Sequence, residues 1–216
     1  METLQFISQN LGLLGSKTLE HAMLVAVAVG VAVLTGVPTG IAITQNERAA
    51  KLVLYVASIV MTIPSIALFG FMIPLLSKVG HGIGYLPAVI AVMLYSQLPI
   101  IRNTYTAINN VDPALREAAR GMGMTSMQRL ARVEIPLAVP VIMAGVRTAV
   151  VMNIGIMAIA AYIGAGGLGT FISRGISQTD SRQLITGALA VSLLAIFVDF
   201  FLARVQHWFT PAGIRR

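Results

Sequence analysis

Cysteine is absent from all 216 residues, which excludes disulfides, thiolate metal sites and thiol nucleophiles together. Charge is scarce as well, at 11% of residues, against about a quarter in an ordinary soluble domain. Aspartate and glutamate number only eight, and of these Asp199 alone falls inside a long apolar run, too few for a two-metal carboxylate cluster in the spans. His21, His81 and His207 are scattered at the borders of those runs and form no metal-ligand spacing, so no catalytic or metal constellation is expected. Aromatics make up 6%, with a single Trp208. No spacing among them suggests a cage of aromatic faces around a cation. The opening Met1-Glu2-Thr3-Leu4-Gln5 lacks a basic n-region, so the first apolar run is expected to remain as a span.

What the chain has in abundance is apolar length: 56% of residues are hydrophobic. Five runs, at 22–43, 52–76, 83–101, 136–163 and 183–203, are long enough to cross a hydrocarbon core of about 30 Å at about 1.5 Å per helical residue. The fold class is therefore all-α, a polytopic bundle of five transmembrane helices forming one domain over 1–216. Pro38, Pro64, Pro74, Pro87, Pro99 and Pro140 lie within or at the edges of these runs. Such interruptions suit helices around a protein-lined or watery route better than helices facing lipid. Thr62, Ser65, Tyr95 and Asn153 are polar positions inside the runs, suited to lining such a route or to hydrogen bonds between helices. Arg147 is expected to line the pathway, to bind a backbone carbonyl or to snorkel to an interface, and Asp199 to pair with Arg204 or Arg102.

Basic residues segregate across the spans. One side takes Arg48, Lys51, Arg102, Arg116, Arg120, Arg129, Arg132, Arg204, Arg215 and Arg216; the other takes only Lys17, Lys78, Arg174 and Arg182. The richer side is expected to be cytoplasmic, with the amino terminus outside and the carboxyl terminus inside. Topology and anionic lipid headgroups account for the net charge of +7, leaving no need for nucleic acid as a partner.

The connection over 102–135 is punctuated for two short helices. Asp112 can cap a helix beginning at Pro113, Gly121 and Gly123 supply a turn, and Thr125 with Gln128 spells a capping box for a second helix, which Pro136 must end or redirect. The stretch mimics a DNA-reading helix-turn-helix, but both ends are tied to spans and there is no third helix. A plain surface hairpin is the simpler alternative.

Glu117-Ala118-Ala119, then Gly123, then Val133-Glu134-Ile135-Pro136 resembles the EAA loop of permease subunits in ATP-binding-cassette (ABC) importers. The family pattern has Ile and Leu where this chain has Val133 and Ile135, both conservative apolar exchanges. The segments 95–105 and 134–148 are further similar to the osmoprotectant branch, which imports glycine betaine, choline and carnitine. The resemblance implies the MetI-like fold of type I importer permeases in the bacterial inner membrane. It implies ATPase-coupling roles for Asp112, Pro113, Arg116, Glu117, Ala118, Ala119, Gly121 and Gly123, with Glu117 as the foremost contact. The implied partners are an ABC ATPase dimer that binds ATP and Mg, a second permease subunit, identical or paralogous, and an extracytoplasmic substrate-binding protein. A methionine-type importer is the alternative cargo class, and a passive channel the alternative mechanism.

Two glycine-rich stretches mimic nucleotide sites. Gly12-Leu13-Leu14-Gly15-Ser16-Lys17-Thr18 misses the P-loop spacing, so the chain is expected to bind no nucleotide or other cofactor itself. Gly164-Ala165-Gly166-Gly167-Leu168-Gly169 has the spelling of a dinucleotide fingerprint without its strand context. It is expected to form either a simple turn or a re-entrant half-helix at the outer mouth, and the resemblance sets Gly164, Gly166, Gly167 and Gly169 near the gate.

Overall fold

The computed structural model describes residues 2–210, and among them every regular element is helical. Arg215 and Arg216, counted above on the basic side, lie outside the described residues. A short amphipathic α1 (Glu2–Gln9) leads into α2 (Leu11–Ala42), which begins well before the expected 22 because nothing from Leu11 onward breaks the helix. A 3-10 turn (Ile43–Gln45) and Asn46, whose side chain accepts from the amides of Arg48 and Ala49, start α3 (Glu47–Thr62). Next come α4 (Ser65–Ser77), α5 (Tyr85–Asn109), α6 (Pro113–Gly121) and α7 (Ser126–Arg129). A π turn (Leu130–Glu134) joins α7 to α8 (Ile135–Ile159); a 3-10 turn (Ala160–Ile163), α9 (Gly169–Ser177) and α10 (Ser181–Phe209) complete the chain.

Four helices are each long and apolar enough to span a membrane, and α3 with α4, bent by 99° where they meet, passes the same test only when the pair is taken together as one span. The second run, 52–76, is thus not one continuous helix. Proline disfavours helical backbone at the residue before it. Ile63 accordingly adopts ψ 127° and α3 stops at Thr62. The Ile63 carbonyl, released by the break, accepts the Tyr95 hydroxyl from α5.

The centre of the bundle is α5, buried along most of its length between α2 and α8. Small residues make this approach possible. A Cβ on Gly40 would stand 2.6 Å from Thr104 Cβ, and one on Gly145 would stand 2.5 Å from Asn103 Cβ, so α2 and α8 both seat backbone directly on α5. Leu24, Ala28, Phe69, Val92, Ile100, Ala149, Ile154 and Met157 fill the rest. In contrast, α10 is peripheral; only Thr186 and Gly187 are buried, where it meets α9.

Tracing the spans puts the end of α2, the start of α3, the end of α5, α6, α7, the start of α8 and the end of α10 on one side. That is the side with most of the arginine and lysine.

Candidate functional site

Two regions bring the sequence candidates together: the helical hairpin after α5, and the glycine turn at the opposite end of α8.

In the hairpin, Asp112 Oδ1 accepts from the Ala114 amide at 2.8 Å and Pro113 occupies the first turn of α6, as its missing N–H permits. The helix ends in a Schellman motif: Met124 N donates to Ala119 O at 3.1 Å and Gly123 N to Arg120 O at 2.9 Å, with Gly123 at φ +77°. Gly123 alone makes the turn. Gly121 is an ordinary last residue of α6, which corrects the expectation that both glycines shape it. The capping box forms at α7, with Thr125 N donating to Gln128 Oε1 at 2.9 Å and Gln128 N to Thr125 Oγ1 at 3.3 Å.

Glu117 and Ala118 are exposed on α6, together with Asp112, Pro113, Gly121 and Gly123; Leu115 and Met122 stand exposed beside them. Ala119 is 1% exposed and faces the bundle, so the low outer face of α6 belongs to Ala118 and not to Ala119. Arg116 also turns inward. Its guanidinium donates to the Ile108 carbonyl and lies 3.4 Å from Glu134, which Arg129 approaches at 2.7 Å. Glu134 is only 4% exposed, and its carboxylate ties α5, α6, α7 and the start of α8 into one unit. Arg116 and Glu134 stand 18 residues apart, and no local pattern in the sequence pairs them.

Pro136 neither ends nor redirects the helix. The Ile135 amide reaches back to the Leu130 carbonyl, so the π turn resets the hydrogen-bond register just where the proline would break it. Ser126–Ile163 consequently runs as a single rod from the hairpin to the far side.

At that far side, Gly164, Gly166 and Gly167 all take positive φ, at +80°, +84° and +68°. Gly167 and Gly169 are also required by space: a Cβ would lie 2.9 Å from His21 Nδ1 in the first case and 2.0 Å from Ala158 O in the second. The turn packs on Glu20 and His21 of α2, where His21 is fully buried with Nε2 3.0 Å from the Ile154 carbonyl and Lys17 pairs with Glu20 at 2.6 Å. It leads into α9, a short helix folded back onto α10, so the segment is a turn followed by a half-helix. The spelling of the glycine run carries no sign of His21, which lies more than 140 residues earlier in the chain.

The polar residues inside the spans divide sharply. Asn153 is fully buried, donating to Ser96 Oγ and to Ala149 O at 2.8 Å each, and Tyr95 serves the break at Ile63; both act between helices. Thr62 is exposed at the end of α3, bonded to Ile59 O, and Ser65 half-buried at the start of α4. Arg147 pairs with Asp199 of α10 through two hydrogen bonds, one of them 2.6 Å from Nη2 to Oδ2. This corrects the expected partners: Asp199 binds neither Arg204 nor Arg102, which instead lie over Phe200 and beside Ser58. A charge at the centre of a membrane helix costs about 2.5–3.5 kcal/mol on insertion scales, and charges inside spans characteristically pair with one another, as these two do. Among the described residues no group of acids and histidines is arranged to hold a metal ion.

The chain matches, over residues 22–212, the family described as the inner membrane component of binding-protein-dependent transport systems. It is 59% identical over 215 residues, with full coverage of both chains, to an osmoprotectant import permease protein of Salmonella typhimurium. It is 41% identical to a glycine betaine/carnitine/choline transport system permease protein of Bacillus subtilis, covering 99% of this chain and 96% of the relative. Among solved structures, an inward-facing methionine ABC transporter superposes with a TM-score of 0.84 at 24% identity, covering 94% of this chain and 99% of that one.

Proposed function

The chain belongs to the family of binding-protein-dependent inner membrane transport components, and from that membership we propose that it is the permease of an ABC importer for quaternary ammonium osmoprotectants. The cargo class is glycine betaine, choline, carnitine or a close analogue, taken into the cytoplasm. The family description itself states dependence on a binding protein; the energising ATPase and the subunit composition are further parts of the proposal. Two ATPase subunits, holding ATP and Mg, grip α6 and α7 on the basic side, with Glu117 and Ala118 as the exposed contacts. A second permease, identical or paralogous, completes the pathway, and the binding protein delivers cargo on the side of the glycine turn. The amino terminus faces outward and the carboxyl side of α10 inward, as the excess of arginine on the hairpin side favours.

The full-length 59% identity to an osmoprotectant permease is the observation that carries the cargo class. For coupling, the support is the exposed Glu117 face on a hairpin whose inner side is bound to α8 through Glu134. The test is uptake of labelled glycine betaine, choline, carnitine and methionine by the reconstituted complex with its binding protein and ATP. Saturable uptake of a quaternary ammonium compound is expected; uptake of methionine alone would overturn the cargo class. Glu117→Arg should insert and assemble normally while lowering ATP-driven uptake at least ten-fold, because it reverses charge at the dock. Unchanged uptake by that variant would remove α6 from the coupling surface.

A further inference from the structure

Arg147 and Asp199 form the polar end of a cavity of about 510 Å3 whose other walls are Ala144, Thr148, Val151 and Met152. Small-molecule sites commonly enclose about 300–1,000 Å3. The cavity opens on the flank where α8 and α10 run side by side, and each charged side chain keeps 36% of its surface open. Arg147 is the middle residue of α8 and Asp199 lies well inside α10. Charges at such depth face a water-filled or protein-lined space, not acyl chains.

A fixed guanidinium hydrogen-bonded to a fixed carboxylate is complementary to one kind of solute, one that carries both charges itself. A simple cation would occupy Asp199 and leave Arg147 without its counter-ion; a simple anion would do the reverse. A zwitterion replaces each half of the pair and leaves no charge orphaned. The planar fork of Arg147 suits a carboxylate in a way an ammonium would not. A quaternary ammonium has no N–H to satisfy, so it needs only the nearby carboxylate and apolar walls for its methyl groups, which Ala144, Val151 and Met152 provide.

We propose that Arg147 and Asp199 form a transit site for a zwitterionic quaternary ammonium carboxylate, with Arg147 taking its carboxylate and Asp199 its ammonium group. This rests on the osmoprotectant reading and narrows it to zwitterions over simple cations such as choline. Self-pairing keeps the site neutral when empty and makes it weak, because every arriving solute must displace a bidentate contact. Weak binding suits a site through which cargo passes.

The absence of native cysteine makes Thr148→Cys the chain's sole thiol, beside the pair. In the complete importer reconstituted in liposomes, a membrane-impermeant maleimide should label it. Glycine betaine should slow that labelling at least three-fold, and choline at equal concentration should not. No labelling, equal slowing by both solutes, or slowing by neither overturns the proposal. As a second arm, the double variant Arg147→Gln with Asp199→Asn removes both charges and orphans neither. It should assemble while glycine betaine uptake falls at least ten-fold. Uptake at the wild-type rate would make the pair a structural clasp only; if this variant fails to assemble, the labelling arm decides. Uptake by the unaltered importer is measured first, and its failure for every quaternary ammonium compound would refute the osmoprotectant reading instead.

Discussion

Glu134 is the residue on which the hairpin's rigidity turns. Its carboxylate is buried and shared by Arg116 and Arg129, so removing it leaves two guanidinium groups facing each other with no anion between them. Loss of one partner from a buried ion pair costs about 3–5 kcal/mol; the residual exposure of the two arginines lowers the expectation for Glu134→Ala to about 2–3 kcal/mol. Hydrogen exchange should show α6 and α7 loosened while α2 and α5 keep their protection. Unchanged protection in α6 would mean that the cluster does not hold the hairpin. On the opposite side, Asp180 caps α10, and its bonds to Arg182 and Gln183 lower its pKa from 3.8 to about 2. A depressed carboxyl pKa adds stability that is complete above the unfolded value and is lost as pH falls through the folded one. The first turn of α10 should therefore fray between about pH 4 and 2, read as faster amide exchange at 181–184. Asp180→Asn should abolish that pH step. Residues of this kind were half legible beforehand: Asp112, Thr125 and Gln128 are read from local spacing, whereas the partners of Glu134, Arg147 and His21 are separated along the chain and no local pattern names them.

At the scale of elements, the break between α3 and α4 shows where periodicity misleads. Hydropathy is continuous across 52–76, and the decisive event is one steric conflict at Ile63-Pro64 whose freed carbonyl is satisfied from α5. Tyr95→Phe removes that carbonyl's side-chain donor, and because the bond is only partly buried the cost is expected near the low end of the range for an unmet acceptor, about 1 kcal/mol. The variant should melt at lower temperature in detergent with unchanged helicity; an unchanged melting temperature would show that the bend needs no such tie. Pro136 misleads in the opposite direction. A proline that normally ends a helix is accommodated by the π turn just before it, a change of hydrogen-bond register that composition does not reveal. By contrast the other four runs, the hairpin and the glycine turn have local signals, because apolar length, capping chemistry and positive-φ glycine are all local properties.

For the whole molecule, the segregation of arginine and lysine predicts one orientation that labelling can check. Single cysteines at Ser8 in α1 and at the 73%-exposed Met127 of α7 lie on opposite sides. An impermeant thiol reagent added to intact cells should modify Ser8→Cys and spare Met127→Cys until the membrane is opened. The reverse result would invert the topology and detach the hairpin from any cytoplasmic motor. The rod from Ser126 to Ile163 has 38 residues, about 57 Å at about 1.5 Å each. If its hairpin end is the fulcrum, a tilt of about 5° sweeps the other end through about 5 Å, roughly one helical turn. The glycine turn sits at that end with no free space beside Glu20 and His21. Under that geometry a slight rocking at the hairpin end becomes a full step at the glycine turn.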